Sequence, residues 1–249
     1  MRPGRPAPAL LRALALGILA LPAMPGVATG QIADDQAYTF VLFDQLEFAP
    51  ARGGDPVRYD VVGWHGGDFD RVWFKGEGEQ ATGLGGPGEA EFQVLYGRLI
   101  SAFWDLQAGV RIDARYGPGD DAARAHLVVG IQGLAPYWFE LEPALFVSQK
   151  GDVSARLTAE YDMLFTQRLI GQPRLEINGA VQEVAEFGIG PGLNELELGW
   201  RLRYELRREL APYLGVSWLR KFGGTADLAR AEGAEADDLS VVAGLRAWF

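Results

Sequence analysis

The feature of this chain that most constrains its fold is a strict alternation of polar and apolar side chains. From Glu195 to Leu206, every odd-numbered residue is charged or glycine and every even-numbered residue is apolar or aromatic. A β-strand turns successive side chains to opposite faces, so this stretch predicts a strand with one charged and one apolar face. The same alternation occurs over 105–113 and 156–163.

Soluble β-sandwiches also alternate in this way, so a second criterion is needed. The alternating stretches are about 10 residues long, the length that a tilted transmembrane strand requires. Aromatic residues lie near the ends of the apolar faces, as in the interfacial girdles of membrane barrels; they are Tyr96, Trp104, Phe139, Phe165, Tyr204 and Trp218. We therefore predict an all-β fold, a closed antiparallel transmembrane β-barrel of about 12 strands, with a soluble sandwich as the alternative.

The strand boundaries and the connections follow from the same alternation. We expect longer external loops, rich in Gly, Pro and Asp, at one end, and short periplasmic turns at the other. The twelve predicted strands lie near 38–48, 57–65, 70–82, 89–99, 103–115, 124–134, 138–148, 154–166, 173–182, 194–206, 212–222 and 239–249.

The N-terminus predicts export through a cleaved signal peptide. Arg2 and Arg5 precede an apolar segment over 10–21, and small residues follow it. A membrane anchor is the alternative, but this segment is shorter than the ~20 residues that a spanning helix needs. We place the signal peptide at residues 1–30, a short N-terminal segment at 31–37 and the barrel at 38–249.

Composition narrows the function classes. The chain has no Cys, which excludes disulfides and thiolate metal sites. The formal net charge of −10 argues against a nucleic-acid partner. After the signal, no run of about 18 apolar residues remains, so a helical membrane span is not expected. The partner of the apolar faces would be outer-membrane lipid.

Charged residues dominate the faces that would point into the lumen. One interpretation is a network of ion pairs that fills a narrow barrel, since charges away from bulk water need partners. A second, compatible interpretation is a path for cations, because acidic residues are in excess. The inward-facing charged residues, projected from the alternation, are Arg71, Lys75, Glu77, Glu79, Glu89, Glu91, Asp105, Arg111, Glu140, Glu142, Arg156, Glu160, Asp162, Arg174, Glu176, Glu195, Glu197, Arg201 and Arg203.

Histidine is scarce, with only His65 and His126 in the chain. His126 falls on the lumen face of its predicted strand, so it is the candidate nitrogen ligand for a metal, or else a structural residue. It is also the only lumen histidine for a Ser–His hydrolase, with Ser148 and Ser154 as conceivable partners. We predict that the chain is not an enzyme, and we keep a barrel hydrolase as a less favoured alternative.

Long stretches of the chain resemble the copper resistance protein B family. The resemblance extends over residues 38–249 and is carried by 59–79, 103–113, 130–140, 152–170, 172–178, 192–230 and 242–249. The terminal Phe249, at the end of an alternating strand, also resembles the sorting signal of bacterial outer-membrane proteins. The family resemblance implies an outer-membrane barrel that belongs to a periplasmic copper-handling system.

The same resemblance implies what the barrel would bind. Copper ions would be transported or transiently bound, without an organic cofactor, and a periplasmic multicopper oxidase or copper carrier would be a partner. Family members often carry a Met- and His-rich segment before the barrel; residues 31–37 contain neither residue type. The resemblance therefore implies conduction of copper or docking of a periplasmic partner by the barrel itself.

The predicted function is a contribution to copper resistance at the outer membrane, by passage of copper ions or by serving a periplasmic copper system. Copper(II) accepts oxygen and nitrogen ligands, and the proposed ligands are His126, Glu160, Asp162, Glu176, Glu195 and Glu197. The alternative is a structural or non-selective barrel. Ion pairs that seal the lumen would favour docking over conduction.

Overall fold

The computed structural model describes residues 36–49, 56–81, 87–117 and 121–249. The predicted signal peptide, residues 1–30, lies outside the described residues. The strands of the described part are β1 (Tyr38–Phe48), β2 (Pro56–Gly66), β3 (Asp70–Ala81), β4 (Gly88–Ser101), β5 (Trp104–Tyr116), β6 (Ala122–Ala135), β7 (Phe139–Ser148), β8 (Val153–Glu160), β9 (Met163–Leu164), β10 (Leu169–Ala180), β11 (Gly192–Tyr204), β12 (Leu210–Lys221) and β13 (Asp237–Trp248).

These strands form a closed antiparallel barrel. Neighbours along the chain pair with each other, and β1 closes the ring by pairing with β13. At the closure, the N–H of Val41 donates to the carbonyl of Phe249 (3.0 Å), and the N–H of Phe249 donates to that of Val41 (2.9 Å). Because β8 and β9 both pair with β10 as parts of one barrel strand, the barrel has twelve strands. The predicted fold class is confirmed.

One predicted strand is interrupted. The strand expected over 154–166 ends at Glu160, resumes for two residues in β9, and leads to β10 four residues earlier than predicted. Tyr161 N–H donates to the carbonyl of Pro173 (3.2 Å), but Pro173 has no N–H to return a hydrogen bond. The ladder therefore loses a bond at this pair, and the strand breaks beside it.

The barrel places apolar side chains outside and charged side chains inside. Leu127 and Leu214 are 65% and 66% exposed on the outer face, whereas Arg201 and Arg203 are each 3% exposed in the lumen. Soluble proteins have the opposite arrangement, with apolar side chains inside. A transmembrane barrel needs apolar side chains outside, because lipid surrounds its outer surface. The two faces predicted from the alternation of β11 are thus confirmed.

The two ends of the barrel differ in their connections. Residues 67–69, 102–103, 136–138 and 205–209 are short turns at the end where β1 begins, and the opposite end carries longer connections. Short turns are periplasmic in bacterial outer-membrane barrels, so we call the first the periplasmic end and the second the external end. Of the six predicted girdle aromatics, Trp218 lies toward the external end and the others lie at the periplasmic end.

A helix lies in the connection between β12 and β13, for which the sequence predicts a long external loop. Helix α1 (Gly223–Ala231) contains the good helix formers Ala, Leu and Arg, which explains its formation. Its Thr225 is buried, and the Thr225 hydroxyl accepts hydrogen bonds from Gly190 N–H (2.9 Å) and Asn194 Nδ2 (2.9 Å). The helix is thereby fixed to the connection 181–191 at the external end. No helix in the described part of the chain is long and apolar enough to cross a membrane.

A β-bulge in β1 reverses which face its residues occupy. The register with β2 shifts between Phe43 and Gln45, so that Asp44 and Gln45 are both buried in the lumen. Glu47 follows on the inner face and is 1% exposed. Arg201 on β11 binds this segment, with Nε donating to Glu47 Oε1 (2.5 Å) and Nη2 to Gln45 Oε1 (3.1 Å).

Candidate functional site

Ion pairs cross the lumen at mid-height. Arg156 on β8 donates from Nη1 to Glu77 Oε1 on β3 (2.5 Å) and from Nη2 to Glu91 Oε2 on β4 (2.8 Å). Its Nε donates to Asn178 Oδ1 on β10 (3.1 Å). Arg111 on β5 approaches the same Glu91 Oε2 to 2.7 Å. Since β3 and β8 lie on opposite sides of the ring, these contacts bridge the lumen from wall to wall.

Arg174 on β10 forms a second bridge. Its guanidinium lies 3.3 Å from Asp60 Oδ2 on β2, 3.2 Å from Glu160 Oε1 and 3.1 Å from Glu176 Oε2. Glu160 also accepts a hydrogen bond from Gln172 Nε2 (2.8 Å). Three carboxylates from three strands thus share one guanidinium, which leaves negative charge in excess around Arg174.

The ammonium of Lys75 is enclosed by oxygen atoms. Lys75 Nζ donates to Glu142 Oε1 (2.5 Å), Gln107 Oε1 (3.1 Å) and Gln132 Oε1 (3.1 Å). These acceptors come from β7, β5 and β6, whereas Lys75 extends from β3. The side chain of Lys75 is 8% exposed and that of Glu142 is 31% exposed, so the cluster adjoins open space in the lumen.

Further pairs lie toward the periplasmic end. Arg246 on β13 donates to Asp44 Oδ1 (2.6 Å), on the bulged segment of β1. Arg203 on β11 donates to Asp162, which follows β8. Together with the two bridges, these contacts confirm that inward-facing charges form ion pairs along much of the barrel.

A cavity of about 330 Å³ lies among these groups. Seven carboxylates and four cationic side chains line it, an excess of three acidic groups. Phe40, Leu42, Val62 and Leu141 contribute apolar wall toward the periplasmic end. The charged lining residues are Asp44, Asp60, Glu77, Glu91, Glu140, Glu142 and Glu160, with Lys75, Arg156, Arg174 and Arg246.

A cluster around His126 lies toward the external end and shares Arg111 with the mid-height bridge. Asp113 accepts hydrogen bonds from Arg111 Nε (2.5 Å) and Arg124 Nε (3.1 Å). His126 is buried, and its Nδ1 lies 3.8 Å from Asp113 Oδ2 without a hydrogen-bond partner among the described residues. Phe187, in the 181–191 connection, stacks against Arg124, with the guanidinium carbon 4.2 Å from the ring centre. The external connection thus covers the lumen beside His126.

The structure does not gather the six predicted metal ligands into one centre. Glu160 and Glu176 both contact Arg174, whereas Asp162 pairs with Arg203. Of the six, only Glu160 lines the cavity described above. Among the described residues, no group of three or more His, Asp or Glu side chains is arranged to hold a metal ion.

The remaining predicted ligands lie on β11 and β6. Glu195 Oε1 is 3.7 Å from Lys221 Nζ, and Glu197 Oε1 accepts a hydrogen bond from Ser217 Oγ (2.6 Å). His126 lies on β6, several strands away from both around the ring. As ligands for copper, all six residues stay a prediction.

The conceivable serine partners of His126 have other neighbours. Ser148 lies opposite His126 in the register of β6 and β7, but its hydroxyl donates to Asp152 Oδ2 (2.8 Å). Ser154 pairs in register with Phe146 and Ala180. No Ser–His hydrogen bond is formed by these residues in the described part of the chain.

Sequence reasoning missed several residues that line the cavity. Asp60 lies in the alternating stretch 57–61, so the alternation that predicts an inward Glu160 also predicts an inward Asp60. Asp44 could not be placed in this way, because the bulge in β1 puts Asp44 and the adjacent Gln45 on the same inner face, which a strict alternation does not allow. Arg246, its partner, lies in the last strand among small and apolar residues.

Comparison with solved structures shows the same class of fold. The NanC porin superposes with a TM-score of 0.51 at 10% sequence identity, and the match covers 84% of this chain and 99% of that chain. At this identity the likeness concerns the barrel fold alone.

Comparison of sequences shows the family. A sequence model described as "Copper resistance protein B precursor (CopB)" matches residues 37–249. The chain is 45% identical over 225 residues to "Copper resistance protein B" of Escherichia coli, covering 90% of this chain and 74% of that protein. It is 39% identical over 219 residues to "Copper resistance protein B homolog" of Pseudomonas syringae pv. tomato, covering 88% and 72%. With its twelve-stranded outer-membrane barrel, this chain belongs to the copper resistance protein B family.

Proposed function

We propose that this chain contributes to copper resistance at the outer membrane by passing copper ions through its acidic lumen. The role in copper resistance is supported by the family, since both relatives above carry copper resistance in their names. The observation that supports passage is the cavity of about 330 Å³, with seven carboxylates against four cationic groups.

The charge of this cavity selects the kind of ion that it attracts. An excess of fixed negative charge in a confined space raises the local concentration of cations and repels anions. Hydrated copper(II) takes oxygen and nitrogen ligands, and the lumen offers carboxylates along its length with His126 farther toward the external end. The outer membrane supplies no nucleotide, so movement of copper would be passive.

The ion pairs limit what else can cross. Arg156 and Arg174 each bridge β-strands across the lumen. A solute as large as a sugar would have to break several of these buried contacts at once. A single small cation needs to displace only one guanidinium at a time, because the ion can itself take the place of the guanidinium beside the carboxylate.

A second candidate function is docking of a periplasmic copper-handling partner. The bridged lumen favours it, and so does the turn after β6. Tyr137 and Trp138 are 83% and 71% exposed there, with φ values of 68° and 69°. Non-glycine residues with positive φ are uncommon and strained, so this turn holds two aromatic rings out at the periplasmic end at an energetic cost.

Copper and sugar permeation, measured side by side, test the proposal. Liposomes reconstituted with the mature chain and loaded with a copper-sensitive chelator report copper entry, and swelling in isotonic arabinose reports sugar entry. We expect copper entry well above that of protein-free liposomes, without swelling. Equal permeation of copper and arabinose would favour a non-selective barrel. Copper entry no faster than in protein-free liposomes would reject passage and favour docking.

A further inference from the structure

We propose that Lys75 is a tethered cation that occupies an oxygen-lined cation site in the barrel wall, and that its ammonium controls which soluble cations enter the cavity. The second part rests on the proposed function, whereas the first part concerns the site alone. The site consists of Glu142 Oε1, Gln107 Oε1 and Gln132 Oε1, which surround Lys75 Nζ at 2.5–3.1 Å.

The three acceptors converge on one point from three neighbouring strands. One is a carboxylate oxygen and two are amide carbonyl oxygens, the ligand types that hard cations such as Ca²⁺ prefer. Gln107 Nε2 also donates to Gln132 Oε1 (2.9 Å), which fixes the orientation of both amides. The two amide oxygens are therefore held in place by a contact of their own and do not depend on Lys75 alone for their positions.

The ammonium reaches this site from another part of the wall. Lys75 extends from β3, whereas its acceptors lie on β5, β6 and β7. The Lys75 side chain is almost completely buried, yet Lys75, Glu142 and Gln132 all line the cavity. A soluble cation in the cavity thus has access to the same oxygens, and it competes there with Lys75.

The competition depends on charge. A covalently attached ammonium has a high effective concentration at its own site, so a soluble ion of the same charge gains little by replacing it. A divalent ion interacts about twice as strongly with the Glu142 carboxylate and with the uncompensated acids nearby. Lys75 would therefore exclude K⁺ and Na⁺ while admitting divalent cations.

The test is cation-dependent stability of the purified barrel in detergent. Met has nearly the length of Lys without its charge, so Lys75→Met empties the site with little change of volume. Lys150→Met is the matched control, because Lys150 and its partner Glu186 are both exposed, at 63% and 54%. Ca²⁺, Cu²⁺ and K⁺ are added, with choline chloride at equal ionic strength as the reference.

We expect the melting temperature of Lys75→Met to rise saturably with Ca²⁺ and Cu²⁺, by about 5 °C at about 100 times Kd. The wild type and Lys150→Met should need much higher concentrations of the divalent cations for the same rise, because Lys75 competes for the oxygens, and K⁺ should act on them only through ionic strength. Adding Glu142→Gln to Lys75→Met should abolish the rise. A Lys75→Met barrel whose cation response equals that of Lys150→Met overturns the proposal.

Two further measurements keep the outcome decisive. Where Lys75→Met folds poorly, refolding yield replaces melting temperature: divalent cations should raise the yield above that in choline, and a yield that no cation raises overturns the proposal. In planar bilayers, K⁺ conductance of Lys75→Met should exceed that of the wild type severalfold, and equal conductance rejects the selectivity role. Cation binding by Lys75→Met without copper passage by the wild type would reject the proposed function and leave the site standing.

Discussion

Arg156 and Glu77 join opposite walls of the barrel, with Arg156 Nη1 2.5 Å from Glu77 Oε1 across the lumen. The same guanidinium binds Glu91 on β4 and Asn178 on β10, so one side chain connects four strands. Glu91 is almost fully buried and keeps Arg111 as a second partner, whereas loss of Arg156 would leave Glu77, which faces the cavity, without a cation. The contact between Arg156 and Glu77 therefore stabilises the barrel and also obstructs the lumen.

Replacement of Arg156 by Met should destabilise the barrel and widen the lumen. Removing one partner of a fully buried ion pair costs about 3–5 kcal/mol, and we expect a smaller loss here, because Glu77 faces the cavity and Glu91 keeps Arg111. Guanidinium denaturation in detergent measures the loss, and bilayer conductance measures the opening. Arg230→Met is the control, since Arg230 is 63% exposed and pairs with Asp227 on α1. Equal changes in unfolding free energy and conductance for the two substitutions would show that Arg156 neither stabilises the barrel nor obstructs the lumen.

The opposite faces of the strands should differ in the solvent that they contact. The chain has no Cys, so single cysteines can carry a nitroxide label without background. A label at Val129, exposed on the outer face, should collide mainly with dissolved oxygen in lipid. A label at Thr158, which lines the cavity, should collide mainly with a water-soluble nickel reagent. Lipid-like collision profiles at both positions would contradict the assignment of the faces.

His126 should affect the choice of ion more than the fold. Imidazole favours copper over calcium, so His126→Gln should lower the ratio of Cu²⁺ to Ca²⁺ entry into liposomes. His65→Gln is the matched control, because His65 is exposed and its Nδ1 lies 2.8 Å from Thr39 Oγ1. An unchanged ratio of Cu²⁺ to Ca²⁺ entry for His126→Gln would show that His126 does not contact the copper ions that cross the lumen. We also expect no lipid or peptide cleavage by either the wild type or His126→Ala, in assays of both substrates.

The architecture was predictable from sequence because its signal is local. In β11, the alternation from Glu195 to Tyr204 specifies both the strand and its two faces, with no knowledge of its neighbours. Departures arise where the backbone breaks the alternation. The bulge at Asp44 and the interruption at Tyr161 each depend on hydrogen bonds to another strand, and the sequence of one strand does not encode them.

The pairing of charges across the lumen was not predictable from the residues alone. Sequence placed Lys75 and Glu142 on inner faces, but their contact depends on the relative heights of β3 and β7. The height of β7 relative to β3 is set by the stagger of all the strands that lie between these two. For the same reason, the sequence could propose Glu160 and Glu195 together as ligands, whereas the structure gives them different partners, Arg174 and Lys221.

The most direct test of copper passage compares carboxylates of the cavity with carboxylates of the surface. In the double variant Asp60→Asn/Glu160→Gln, Arg174 keeps Glu176 as a partner, so the barrel should still fold. The control Asp227→Asn/Glu209→Gln removes the same charge from exposed positions. We predict that the initial rate of Cu²⁺ entry into chelator-loaded liposomes falls severalfold for the cavity variant and is unchanged for the control. Equal rates for the two folded variants would contradict passage of copper through the acidic lumen.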